Sequence, residues 1–116
     1  MRAFSQVDFA ELKARGLPRE YLLTLALTPE QISQRYNISF AEIADEPLVD
    51  CFAAVCFAGT DLYFELYTGC SVGKGTTCVC AVGGTAESLD ARSAYQLFMS
   101  EFKPLAKEVV WISDEI

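Results

Sequence analysis

The chain has 116 residues, the size of one domain, and its 52% hydrophobic content is enough for a core of its own. Charged residues make up 22%, which sets it apart from disordered chains. A formal charge of −7 argues against nucleic acid and anionic membrane as partners, because both are held by basic side chains.

Ser5 followed by Asp8 has the spacing of a capping box, which predicts a helix through Arg15. Gly16 then supplies a left-handed exit, and Pro18 prevents simple continuation. "PREYLLTLAL" (18–27) is read as a second helix with Pro18 in its first turn, or as a buried strand, since its apolar run fits both. "TPEQ" (28–31) is the strongest helix start in the chain. Thr28 caps, Pro29 takes the first position, Gln31 reaches back, and the helix runs to Tyr36 with a left-handed exit at Asn37. Ser39 and Glu42 repeat the pattern and predict a further short helix, stopped before Pro47.

The texture then changes. "VDCFAAVCFA" and "DLYFELYT" read as a hairpin around "GT", with Leu62, Phe64 and Leu66 alternating against Tyr63, Glu65 and Tyr67. "TTCVCAV" (76–82) makes a third strand. Residues 88–103 carry Leu89, Ala94, Leu97, Phe98 and Phe102 on one stripe of a long amphipathic helix ending at Pro104. "EVVWIS" (108–113) closes the chain as a short strand. The predicted fold is a single α+β domain over residues 1–116. It has short N-terminal helices, an antiparallel sheet of three or four strands, a long C-terminal helix and a short final strand.

Four constellations bear on function. The glycine-rich "GCSVGKG" (69–75) departs from the phosphate-binding loop: three residues separate Gly69 from Gly73-Lys74, Gly75 replaces the magnesium-binding hydroxyl, and a strand follows instead of a helix. It is read as a turn between strands. The five cysteines, Cys51, Cys56, Cys70, Cys78 and Cys80, are an odd set with no export signal before them, which fits reduced thiols in a cytosolic protein. Cys78 and Cys80 share a strand face, and with Cys51 or Cys56 they offer an alternative reading as a metal or thiol-redox site. Cys-x-Cys is a weak ligand signal, so core packing is preferred and no cofactor is expected; Cys70, in the loop, is the candidate reactive thiol.

"QISQRYNISFAEI" has loose helix-turn-helix spacing over about 17 residues. Its second helix, however, would present Glu42, Asp45 and Glu46 where groove readers carry Arg, Lys, Asn or Gln. Finally, the chain has no histidine, and no carboxylate pair is singled out for acid–base work, so no catalytic residue is nominated.

The charge is segregated. Residues 36–73 hold Glu42, Asp45, Glu46, Asp50, Asp61 and Glu65 without one base. With Tyr63 and Tyr67 these acids form the candidate protein-binding set, complementary to a basic partner. The leading expectation is a non-enzymatic, cytosolic binding module of the immunity-protein, antitoxin or inhibitor kind. Self-association into a scaffold, through a strand edge or an aromatic face, is the further alternative.

Overall fold

The computed structural model describes residues 4–45, 48–57, 62–68, 75–83, 90–114 and 116; for residues 42–45, 48–50 and 57 it describes the backbone alone. Its elements, in chain order, are β1 (Phe4–Val7), α1 (Phe9–Ala14), β2 (Arg19–Leu25), α2 (Pro29–Tyr36), β3 (Ala41–Asp45), β4 (Leu48–Phe57), β5 (Tyr63–Thr68), β6 (Thr77–Val82), α3 (Ala91–Phe102) and β7 (Val109–Ile112), with one 3-10 turn at Ala106–Glu108. Six strands follow one another across an antiparallel sheet in the order β1-β4-β5-β6-β2-β7, and β3 joins β4 alongside β1.

The α+β class, the C-terminal helix and the final strand are as expected, but the sheet is larger than three or four strands. Three segments account for the difference, two of them read as helix and one left open between helix and strand. Residues 4–7 pair with β4 from Phe4↔Phe57 to Val7↔Ala54, so Ser5 lies in a strand. The cap of α1 is Asp8, whose carboxylate accepts the Glu11 N–H at 3.0 Å. Gly16 takes the expected left-handed turn, with φ of 63°.

The second segment is 18–27, left open between helix and buried strand; it forms β2, between β6 and β7. An amphipathic helix needs a polar face, and this run has none to spare: Leu22, Leu23 and Leu25 are all fully buried. A strand with neighbours on both edges accepts such a run, so tertiary packing overrides the helix preference of leucine. Its register slips between Tyr21↔Cys80 and Leu23↔Val79, leaving Leu22 as the extra residue of a bulge. The bulge puts two consecutive leucines into the core while Tyr21 and Thr24 stay on the other face.

The third segment, read as helix, is 39–45, which forms β3. Gln6 occupies the backbone groups that a helix start would need. Its side-chain amide donates to the Ser39 carbonyl, and its Oε1 accepts the Ser39 N–H at 2.9 Å. Released from a cap, Ala41–Asp45 pairs with β4 from Ala41↔Phe52 to Asp45↔Leu48.

α2 forms as predicted. Thr28 Oγ1 accepts the Gln31 N–H at 3.2 Å, Gln31 Oε1 accepts the Thr28 N–H at 2.9 Å, and Asn37 exits with φ of 58°. α3 lays Ala94, Phe98 and Phe102 on the sheet, with Phe98 tilted on Phe64 at 5.4 Å and stacked on Phe102 at 4.4 Å. The Tyr36 hydroxyl donates to the Phe102 carbonyl at 2.7 Å, tying α2 to the end of α3. Arg35 forks onto Glu108 at 2.7 and 2.8 Å. That guanidinium, with the Leu105 N–H, holds the Glu108 carboxyl down to about 2.

β5 and β6 are antiparallel neighbours, and Thr68 Oγ1 donates to the Thr76 carbonyl at 2.8 Å where their connection begins and ends. The glycine-rich segment therefore links two hairpin strands and leads into no helix; residues 69–74, Cys70 among them, lie outside the described residues. No helix among the described residues is long and apolar enough to cross a membrane.

Candidate functional site: the second face of the sheet

Alternation along β5 separates the two faces of the sheet. Phe64 and Leu66 point to α3 and are fully buried, so Tyr63, Glu65 and Tyr67 lie on the opposite face. α1 roofs one end of that face, where Leu12 packs on Ala54 and Val82 beside Phe9 and Tyr63. Arg15 reaches over this end, donating to the Tyr63 hydroxyl at 2.9 Å with its guanidinium 5.4 Å from the ring centre. A cleft of about 180 Å³ beside it, lined by Val7, Asp8, Glu11, Leu12, Arg15 and Tyr63, is smaller than the ~300–1,000 Å³ of small-molecule sites.

The middle of the face is polar and closed. Glu65 stands opposite Ala54 and Cys80 and is only 4% exposed. Arg19 holds it in a fork, Nε at 2.8 Å and Nη2 at 3.0 Å. This removes Glu65 from the candidate docking acids: its charge is neutralised inside the protein by a residue 46 positions away. The carboxylate in turn raises the guanidinium's affinity for its proton.

Beyond Glu65 the surface turns aromatic. One row across the sheet runs Phe52, Tyr67, Cys78, Thr24, Trp111. Phe52 lies between Phe9 at 4.6 Å and Tyr67 at 6.1 Å, and Tyr21 meets the Trp111 edge at 5.0 Å. The Tyr21 hydroxyl donates to Cys78 Sγ and sits 3.2 Å from Thr24 Oγ1. Two half-buried tyrosines are thus fixed by a floor of small polar side chains, with tryptophan exposed at one end.

Cys80, Tyr21 and Tyr67 hold their protons more tightly than usual. Burial, then the nearby Glu65 charge, pushes the Cys80 thiol up to about 12. Burial and the bond to Cys78 take Tyr21 to about 12, and burial followed by the two thiols raises Tyr67 as well. A thiol held protonated is a poor nucleophile at neutral pH. Cys80 is therefore expected to react slowly with an Ellman-type reagent at pH 8 and quickly once denaturant is added; fast reaction in the folded protein would contradict its burial. The same shift sets a pH dependence. The unfolded thiol ionises near pH ~8.5 and the folded one does not until about 12, so stability falls progressively as pH rises across that interval. Urea unfolding at pH 7 and pH 10 should show this loss, and Cys80→Ala should reduce it.

The structure separates the cysteines offered as a metal set. Cys78 and Cys80 are on β6, whereas Cys51 and Cys56 are on β4, with β5 between them. Two strand spacings amount to roughly 9–10 Å, too far for thiolates that must all lie ~2.3 Å from one zinc ion. Among the described residues, no group of three or more Cys, Asp or Glu is placed to hold a metal.

Of the remaining acids, Glu42 and Asp45 lie on β3, and Asp50 lies on β4 opposite Ile43. They gather on one hairpin at the sheet edge, adjoining Phe52 in the chain. Glu46 and Asp61 lie outside the described residues. Sequence reasoning found Tyr63 and Tyr67 through their period of two, but it missed Arg19, Tyr21, Thr24, Phe52 and Trp111. The usable signal was "REYLLTL" read as a strand, which places Arg19 and Tyr21 on one face. Comparison with protein-family models, curated proteins and solved structures finds no match.

Proposed function

We propose that the chain is a non-enzymatic protein-binding module that receives a basic partner, as inhibitors, immunity proteins and antitoxins do. The observation that carries this reading is the pairing of Tyr21, Phe52 and Tyr67 on the sheet face opposite α3 with an adjoining hairpin bearing Glu42, Asp45 and Asp50. Interface cores favour tyrosine, tryptophan and phenylalanine, which bring large contact area for little lost side-chain freedom. Thr24, Cys78 and Cys80 support that role by holding Tyr21 and Tyr67 before a partner arrives, which lowers the ordering cost of association. The acids of the hairpin add long-range attraction and orientation.

Affinity capture with the full chain as bait, compared with Tyr67→Ala, tests the reading. A basic protein that wild type retains and the variant releases, with both baits equally folded by circular dichroism, is the expected result. Equal retention by both baits would move the interface off this face.

A further inference from the structure

We infer that the end of the sheet at β7 is a second interaction surface, adjoining the aromatic face at Trp111, whose occupant is another copy of the same chain, with the two β7 strands antiparallel about a two-fold axis. Within residues 105–112, Leu105 is 54% exposed, Val110 55%, Trp111 47% and Ile112 41%. The three β7 residues are consecutive on the last strand of the sheet; Trp111, opposite Thr24, and Ile112, opposite Leu23, lie on opposite faces, so the apolar stretch wraps the edge. Isolated exposed apolar residues need no explanation, but a contiguous stretch ending a sheet marks a contact surface.

The charges around the stretch select the occupant. The basic Lys107 precedes it and the acidic Asp114 follows it, both exposed. A basic partner of the kind proposed above would meet Lys107 with like charge. A second copy running in the opposite direction instead brings each Lys107 towards the other copy's Asp114, so the surface is complementary to itself, as a two-fold interface requires. At the opposite edge β1 exposes the polar Ser5 and Gln6.

The mode of contact also follows from the register. Thr24 faces Trp111 and Leu25 faces Val109, so Val110 is the extra residue of a bulge. A bulge interrupts the backbone edge that another strand would extend. Side-chain packing around Trp111 therefore carries the contact, in place of a continued ladder. Four half-exposed side chains per copy make a small interface, of the class below ~1,200 Å² that gives weak, reversible dimers.

The chain's single tryptophan is Trp111, which makes the test direct. Sedimentation equilibrium of the full chain, over about 1–500 µM to bracket a weak interface, should show conversion from 12.8 kDa to twice that mass. Tryptophan emission should shift to shorter wavelength over the same range. Val110→Lys and Ile112→Lys, each checked for native circular dichroism, should abolish the shift. Lys107→Glu and Asp114→Lys should each weaken self-association alone and restore it when the two variants are mixed, because only the mixed pair recovers opposite charges at both ends. A 12.8 kDa species at every concentration, open-ended oligomers, or a dimer that ignores all four substitutions would overturn the inference.

Discussion

Phe98→Ala is expected to lower the stability of the folded chain by about 3–5 kcal/mol, the range for emptying a buried phenylalanine site. Phe98 is fully buried at the centre of the contact between α3 and the sheet. Its ring stacks on Phe102 at 4.4 Å and tilts onto Phe64 at 5.4 Å, while Phe102 in turn stacks on Phe4 of β1 at 4.7 Å. Removal of one ring thus leaves a cavity and strips the aromatic contacts that join α3 to β5. Relaxation is restricted because Phe102 is anchored from two sides: Phe4 stacks against it, and Tyr36 bonds its carbonyl. A loss of this size is a large part of the ~5–15 kcal/mol that holds a domain folded. Urea denaturation read by circular dichroism measures it, and a loss below about 1 kcal/mol would mean that α3 does not bury this stripe.

The second large effect is expected at Arg19. Arg19→Ala leaves the Glu65 carboxylate in place, 4% exposed, without its forked partner. A carboxylate removed from water and deprived of its cation costs about 3–5 kcal/mol when the pair is fully buried. Here the arginine side chain is 36% exposed, so solvent softens the loss, and about 2–4 kcal/mol is the expected figure. The cost should belong to the orphaned charge more than to the lost bond. Glu65→Gln combined with Arg19→Met should therefore destabilise less than Arg19→Ala alone, and denaturant midpoints of the two proteins decide between these accounts. If the double variant is the weaker one, the ion pair itself is a net stabiliser.

What was legible in the sequence, and what was not, divides along the range of the interactions. The caps of α2 are local: Thr28, Pro29 and Gln31 lie within four residues, and each one's role follows from its spacing. The alternation of β5 is local too, and it gave the correct buried face at Phe64 and Leu66. β2 was harder because its identity depends on neighbours far along the chain: β6 begins 58 residues after Arg19, and β7 lies further still. A leucine-rich run has no local mark distinguishing a doubly flanked strand from a buried helix. β3 failed for a related reason, since the apparent cap at Ser39 is taken by Gln6, 33 residues earlier.

The same division runs through the site. Acids counted along the chain place Glu65 with Asp50 and Asp61, yet the fold hands Glu65 to Arg19 and keeps Asp50 on the hairpin with Glu42 and Asp45. Tyr67 was visible from its strand. Its companions were not, because Tyr21, Phe52 and Trp111 converge only through strand pairing. Charge segregation in sequence therefore located the hairpin, while the aromatic face beside it required the topology.

The most direct test of the proposed docking role is the salt dependence of association with the captured partner, for wild type and for the combined substitution Glu42→Lys, Asp45→Lys and Asp50→Lys. Acids that steer a basic partner act over distance and are screened within about 8 Å at physiological ionic strength. The wild-type association rate should fall steeply as salt rises, and the reversed protein should associate more slowly at low salt, with the two converging at high salt. Thermal stability should stay nearly the same, because charges that serve docking contribute little to folding. Association rates that match at every salt concentration would contradict the account, leaving the hairpin acids with no part in recognition.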